Sequence, residues 1–245
     1  MSTAHNPLDQ FKIHTLIPVK IGSVDISVTN STILMIVVVL SIWMVLTLAM
    51  RSRALVPDRL QSMAEMSYEF IAGLLRDNVG SEGWQYFPFV FSLFMFILFS
   101  NLVGMIPFSF TVTSHIAVTF ALAMVVFVGV TIIGFARHGF HFLGLFVPKG
   151  VPVAMLPLLV PIEIVSYFVR PVSLSVRLFA NMMAGHAMLK VFGGFVVSMG
   201  FLGGWLPLTF IVALTGLEFG IAILQAYVFT ILTCLYLNDA IHLHH

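Results

Sequence analysis

Charged side chains are scarce in this chain of 245 residues, because Asp, Glu, Lys and Arg together make up only 9% of it. Soluble domains average about 25% charged residues, and the mean hydropathy here is +1.07. The composition therefore excludes an ordinary soluble domain and indicates an integral membrane protein. Backbone polar groups must be satisfied internally in lipid, and the apolar runs are too long for membrane barrel strands. We expect an all-α polytopic membrane protein.

The low cysteine content, the small net charge and the lack of certain motifs exclude further classes of protein. The single cysteine, Cys234, excludes an intramolecular disulfide. The net charge of +1 gives no signal for nucleic-acid binding. The sequence has no nucleotide-binding glycine loop, so any nucleotide chemistry belongs to partners and no cofactor is expected. His138 and His141 have the spacing of two metal ligands, but no third ligand is nearby, so we expect no metal site.

Apolar runs in the first half predict three membrane spans. Between the first two spans, apolar and charged residues recur with helical spacing, which predicts an amphipathic interfacial or re-entrant hairpin. In chain order, these segments are residues 33–50, the amphipathic 57–79, and the runs 86–107 and 115–136.

The second half contains two apolar runs that are too long for upright spans. Residues 152–197 would extend about 69 Å as one helix, against about 30 Å of hydrocarbon. This run is therefore either two spans with a charged turn at 170–177 or one long, steeply tilted helix. After a break at 200–207, residues 208–237 would extend about 45 Å as a helix.

The distribution of basic residues favours one long helix. With a single crossing at 152–197 the chain has five spans, and six basic loop residues share one side, against two on the other. A six-span arrangement would put Arg170 and Arg177 on the outer side. We therefore predict five crossings, with the N-terminus outside. The six basic residues are Arg51, Arg53, Arg59, Arg76, Arg137 and Lys149, and the two are Lys12 and Lys20.

Arg177 stands in a segment almost without charge. Arginine keeps its proton, and a charge at mid-bilayer costs about 2.5–3.5 kcal/mol, so Arg177 needs a counter-charge or a water-lined cleft. An interfacial snorkelling arginine and a small-residue packing face are the alternatives. Helical spacing places several polar or small residues on the line of Arg177, namely Glu163, Ser166, Arg170, Ser173, Asn181 and Ala184.

A second polar set lies in the last two long segments. Glu218 and Gln225 are seven residues apart and share a helix face. If the segments form a hairpin, His186 and Glu218 reach similar depth, about 25 Å from the bend, and Arg177 lies deeper. A carboxyl in lipid is protonated or paired, and His titrates near neutral pH. The order predicts an aqueous proton inlet that stops at a fixed cation, unless these groups only hydrogen-bond the helices together.

Two segments carry a resemblance to a known family. They are P-V-S-L-S-V-R-L-F-A-N-M-M-A-G-H at 171–186 and E-F-G-I-A-I-L-Q-A-Y-V-F-T-I-L-T at 218–233. Both resemble subunit a of the F-type ATP synthase, and weaker agreement extends over most of the chain, including F-S-N-L-V-G-M-I-P at 99–107. The resemblance implies two long, strongly tilted helices against a rotating ring of c subunits. It also implies that Arg177 is the essential stator arginine, and that Asn101, Asn181, His186, Glu218 and Gln225 are polar positions of the proton path.

The sequence departs from one familiar bacterial version of this family. That version has a carboxylate where His186 stands and a histidine where Glu218 stands, and the exchange here resembles mitochondrial and related bacterial forms. The pair still supplies one base and one acid. An acidic residue that the same version has near Gly104 is absent here, which puts a role for that position in doubt.

The resemblance implies a stator subunit with two proton half-channels and no catalytic chemistry of its own. Protons would enter past Asn101, His186 and Glu218, with His115 nearby, and would leave past Glu163 and Ser166. Expected partners are the c-ring, the peripheral stalk and other synthase subunits, lipid and protons, but no nucleic acid. Coupling to sodium instead of protons stays open, because the ion-binding carboxylate would lie on another chain.

We divide the chain into three parts, with two rival functions still open. These parts are an N-terminal surface segment (1–30), a first transmembrane helix with the amphipathic segment and a transmembrane hairpin (31–150), and a long tilted helical hairpin that forms the proton path (151–245). The rivals are a secondary transporter that binds an anionic substrate at the Arg177 stripe and a purely structural membrane subunit. The expected location is the bacterial inner membrane, with the mitochondrial inner membrane as the alternative.

Overall fold

The computed structural model describes residues 15–18, 20–21, 24–25, 27–51, 57–106, 111–147 and 155–242. Most of the predicted surface segment 1–30 lies outside these ranges. The same holds for Arg53, Lys149 and the terminal residues His244 and His245.

Two short antiparallel strand pairs precede the first helix. Strand β1 (Thr15–Ile17) pairs with β4 (Val28–Thr29), and β2 (Lys20–Ile21) pairs with β3 (Val24–Asp25). The sequence analysis assigned no strands to this segment. The all-helical architecture expected for the membrane part is confirmed by the six long helices that follow.

Helix α1 spans Asn30–Ala49, and local side chains explain both of its ends. At its start the Thr29 hydroxyl accepts a hydrogen bond from the Thr32 amide at 3.4 Å, which satisfies one of the free N–H groups of the first turn. The helix contains no charged residue and ends two positions before Arg51. Its apolar side chains, including Trp43, are largely exposed, as expected for a helix that faces lipid.

Helix α2 (Arg59–Val79) is a single amphipathic helix, so the predicted hairpin over 57–79 is wrong. The Asp58 side chain caps its first turn by accepting from the Arg59 amide at 2.8 Å. The helix ends at Gly80, whose φ of 78° suits glycine. The 21-residue helix contains no proline and one glycine, Gly73. A single glycine lowers helix stability but does not break the helix. The buried face is formed by Ile71, Ala72, Leu74, Leu75 and Val79.

Helices α3 (Phe87–Gly104) and α4 (Ile116–His138) correspond to the second and third predicted spans. A 3-10 helix at Ser81–Tyr86 precedes α3, and a short 3-10 turn at Val112–Ser114 precedes α4. A further 3-10 helix, Gly139–Phe146, follows α4.

Helix α5 (Leu156–Gly203) runs through 170–177 without a turn, so the choice of one long helix is confirmed. Pro161 and Pro171 lie inside it, as membrane helices tolerate when neighbours satisfy the freed carbonyls. Regular helix ends at Gly200, where φ is 62°, and α6 (Trp205–Ile241) follows. Five helices among the described residues are long and apolar enough to cross a membrane. Helices α5 and α6 exceed the thickness of about 30 Å, so they tilt or extend beyond the hydrocarbon.

The chain forms two compact units, each assembled from separate stretches. Unit 1 contains Met1–Leu48, Met95–Ile116 and Leu178–Ala226. Unit 2 contains Ala49–Phe94, Ala117–Arg177 and Tyr227–His245. Unit 1 holds the residues predicted for proton uptake, whereas unit 2 holds Arg177 and the residues predicted for proton release.

Candidate functional site

His186 and Glu218 meet in unit 1. Nδ1 of His186 lies 2.7 Å from Oε1 of Glu218, and their side chains are only 11% and 6% exposed. Nδ1 also lies 3.0 Å from the carbonyl of Met182, one turn back on α5. The structure thus brings the acid and the base to the same depth, as the hairpin count predicted.

The other ring nitrogen of His186 faces α3 and the turn before α4. Nε2 lies 2.9 Å from the Gly104 carbonyl and 3.0 Å from Oγ1 of Thr111. A carbonyl can only accept, so the ring carries a proton on Nε2 in this contact. Gly104 thus contacts His186 through its backbone oxygen.

Asn101 is fully buried close to this group. Its Nδ2 donates to the carbonyl of Ala222 at 3.2 Å, and its Oδ1 accepts from the Thr113 hydroxyl at 2.9 Å. We call Asn101, Thr111, Thr113, His186 and Glu218 the inlet cluster, after the role predicted from the sequence for Asn101, His186 and Glu218. Its members come from α3, the 3-10 turn, α5 and α6, so no single sequence motif contains them.

Asn181 and Gln225 form the second contact between α5 and α6 in unit 1. Nδ2 of Asn181 donates to Oε1 of Gln225 at 2.9 Å. His186 lies five residues after Asn181 on α5, whereas its partner Glu218 lies seven residues before Gln225 on α6. This opposite order of the contacts is typical of antiparallel helices. Nε2 of Gln225 is buried and has no hydrogen-bond partner among the described residues, so both N–H donors of this amide remain available.

A cavity of about 140 Å³ lies beside the carboxylate of Glu218. Asn181 and Gly185 also line it, and its other walls are Ala, Leu, Ile and Met side chains. One water needs about 10–15 Å³ of such space and a few polar partners. The cavity is therefore large enough for several waters between Glu218 and Asn181.

Gly185 makes room for the carboxylate of Glu218. A Cβ added at Gly185 would lie 2.7 Å from Oε1 and 3.0 Å from Cδ of Glu218. Real Cβ atoms do not approach other atoms so closely, so the carboxylate would have to leave its place beside His186.

We therefore expect Gly185→Ala to slow proton-driven ATP synthesis by about tenfold to 100-fold, because misplacing a reacting group by about 1 Å can cost about 100-fold. The measurement is the synthesis rate per assembled complex in membrane vesicles. Gly193→Ala is the matched control, since a Cβ there would meet nothing within 4 Å on the same helix. Equal rates for the two variants would contradict the assignment.

His115 follows the 3-10 turn at the edge of unit 1. Burial lowers the pKa of its imidazole below the ordinary range. The ring is therefore neutral at neutral pH and free of the charge that burial penalises. Because the folded protein favours the neutral ring, its stability is retained above the ordinary histidine pKa and decreases as the pH falls below that value.

Unit 2 contains an arginine that is already paired. Nη1 of Arg170 donates to Oδ2 of Asp239 at 2.9 Å. Its guanidinium also lies over the rings of Tyr167 and Tyr236, at 5.5 and 5.0 Å from their centroids. The Tyr167 hydroxyl in turn lies 2.6 Å from that of Thr131. Arg170 is thus held between α5 and α6 and does not need an outside partner.

Arg177 differs from Arg170 in this respect. Its side chain is exposed, and within the described residues it has neither a hydrogen bond nor an ion pair. Its neighbours Ser173 and Val176 are exposed as well. Of the two predicted release residues, both in unit 2, Glu163 is half-buried and Ser166 is exposed.

Thr111 and Thr113 were missed by the sequence analysis. A lone threonine near an apolar run is common and gives no signal by itself. The four-residue buried turn T-V-T-S at 111–114 is polar between two apolar runs, and that contrast is the one feature that could have identified them.

Comparison with known proteins decides the family. The ATP synthase A chain family model matches residues 31–238. A protein named ATP synthase subunit a from Paramagnetospirillum magneticum is 64% identical over 98% of this chain and 99% of its own length. Proteins of that name from Pelagibacter ubique and Rhodospirillum rubrum are 58% and 56% identical over 99% and 98% of this chain, and over the full length of each. The chain belongs to the ATP synthase A chain family.

Membership of this family confirms the resemblance found in the sequence. The chain is a stator subunit of the Fo membrane sector that takes part in proton translocation, with other ATP synthase subunits as partners. The alternative of a secondary transporter is not favoured. Bacterial relatives and five candidate spans fit a multi-pass protein of the bacterial inner membrane.

Proposed function

We propose that this subunit forms two offset proton half-channels against a ring of c subunits, and that Arg177 is the fixed cation between them. The observation that carries the proposal is the exposed, unpaired guanidinium among exposed residues of α5 in unit 2. A lipid-facing charge would cost several kcal/mol, so this face needs a cover that supplies an anion. A rotor carrying one carboxylate on each c subunit meets that need.

The inlet half-channel runs through unit 1 in this proposal. His115 is neutral and close to the outer end, and the inlet cluster follows with His186 and Glu218 at its centre. The cavity beside Glu218 then leads toward Asn181 and Gln225. Supporting this order, His186 contacts Glu218, Asn181 donates to Gln225, and the cavity has space for water where the side chains end.

The release half-channel uses Glu163 and Ser166 in unit 2. On α5 these residues precede Arg177 by 14 and 11 positions, which is about 21 and 17 Å along a helix. With the N-terminus outside, the start of α5 faces the cytoplasm, so both residues lie on the route to the inner side. A half-buried carboxylate there can collect protons that leave the rotor.

Arg177 couples the two half-channels to rotation. A c-subunit carboxylate protonated at the inlet is neutral and can face lipid. When it reaches the release side, the field of Arg177 favours its ionised form. The same cation repels protons that would pass straight from inlet to outlet. Each proton that crosses 100 mV supplies about 2.3 kcal/mol to this cycle.

Affinity purification of the tagged chain from its own membranes tests the proposed partners. We expect a ring of small helical-hairpin proteins, a peripheral stalk and a catalytic head to purify with it in mild detergent. A chain that purifies with the head and stalk but without the ring would contradict the proposal that Arg177 faces a rotor.

A further inference from the structure

We propose that Thr111 is a positioning residue for His186, whose imidazole it holds, together with the Gly104 carbonyl, so that Nδ1 faces Glu218. The inference rests on the proposed function of the His186–Glu218 pair in proton uptake. It assigns a part in that step to a hydroxyl outside the four long membrane helices α3 to α6.

The hydrogen bonds allow only one arrangement of protons around Nε2. Thr111 donates its single hydroxyl proton to the Gly104 carbonyl at 3.1 Å. Its lone pairs then remain to accept from Nε2–H of His186 at 3.0 Å. Since the carbonyl also accepts from Nε2–H, at 2.9 Å, the ring has two acceptors on this side. Because both acceptors contact Nε2, the opposite edge of the ring, which carries Nδ1, faces Glu218.

Thr111 is itself held rigidly, as a positioning residue must be. Its side chain is only 2% exposed. A Cβ added at Gly104 would lie 2.6 Å from Cγ2 of Thr111, so the absent side chain at 104 is what lets Thr111 approach. The Ser114 hydroxyl also donates to the Thr111 carbonyl at 2.6 Å and anchors the turn.

Charge around the ring comes from few groups. Glu218 reaches it from α6, and Lys190 lies one turn further along α5. Neither α3 nor residues 111–114 contain a charged or titratable side chain, and His115 comes directly after the turn. Thr111 and the Gly104 carbonyl are therefore neutral acceptors, which stabilise the protonated ring without adding a competing charge.

Thr111→Val tests the hydroxyl because valine keeps the shape and cannot accept. In inverted vesicles that contain the whole synthase, we expect ATP synthesis to slow by about tenfold, as for a lost hydrogen bond to a charged group. We also expect the half-maximal rate to require a more acid lumen, the equivalent of the outer side, because the protonated ring has lost an acceptor. Thr111→Ser keeps the hydroxyl and should restore both properties. Thr209→Val, on an exposed threonine that bonds only within α6, should leave both unchanged.

Three results would overturn the inference. They are a Thr111→Val enzyme with normal rate and pH dependence, a Thr111→Ser enzyme as slow as Thr111→Val, and a slow Thr111→Val enzyme with unchanged pH dependence at normal complex content. Failure of the proposed function gives a different pattern, in which Glu218→Gln leaves proton flux intact whatever the Thr111 variants do.

Discussion

An Arg177→Ala variant is expected to lose proton-driven ATP synthesis completely while the synthase still assembles in the membrane. Its guanidinium is exposed and unpaired within the described part of the chain, so its removal leaves no buried partner stranded and costs little stability. Without the cation, nothing favours the ionised form of a rotor carboxylate at the release side, and nothing blocks direct leak. Synthesis rate, proton leak and complex content measured in the same vesicles check this.

Two further variants at this face sharpen the result. Arg177→Lys keeps the charge, so we expect it to limit leak but not to support normal synthesis, because lysine lacks the planar guanidinium. Ser173→Ala, one turn earlier on the same exposed face, should behave like the unmodified protein. Normal synthesis by Arg177→Ala would refute the role of this residue.

A Glu218→Gln variant is expected to slow proton-driven synthesis by at least about 100-fold, the usual scale of a lost proton-transfer group. The amide has the size of the carboxyl but cannot take up and release a proton. The change keeps the contact surface with His186, so we expect assembly and thermal stability to stay close to normal. Synthesis rate and the melting temperature of the purified complex are the two measurements.

Asp239→Asn is the matched control because Asp239 is the other carboxylate of α6. The substitution removes the negative charge that pairs with Arg170. We therefore expect lower thermal stability with near-normal synthesis per assembled complex. If Glu218→Gln showed the same pattern as Asp239→Asn, reduced stability with normal proton flux, its carboxylate would only hold helices together.

Much of the helical architecture could be predicted because membrane helices follow simple rules. Apolar runs, the positions of basic residues and the length of 152–197 together identified five crossings and one unbroken long helix. The depth of His186 relative to Glu218 followed from counting residues on either side of a bend. These features depend on helix geometry and hydrophobic thickness, which sequence alone reports.

Features that depend on tertiary contacts could not be predicted. The amphipathic segment was expected as a hairpin, yet α2 is continuous, and its buried face runs from Ile71 to Val79 along its second half. Arg170 pairs with Asp239, 69 residues later in the chain, and no local pattern connects them. Thr111 approaches His186 only because Gly104 lacks a side chain.

Disulfide cross-linking tests most directly whether the Arg177 face meets a rotor. Ser173→Cys and Ser175→Cys would each be paired, in a Cys234→Ala background, with a cysteine beside the ion-binding carboxylate of the c subunits. Ser173 is exposed, whereas Ser175 is 1% exposed on the same helix. The account predicts a cross-linked product and reversible loss of ATP-driven proton pumping for Ser173→Cys alone. No product from Ser173→Cys, or equal products from both positions, would contradict it.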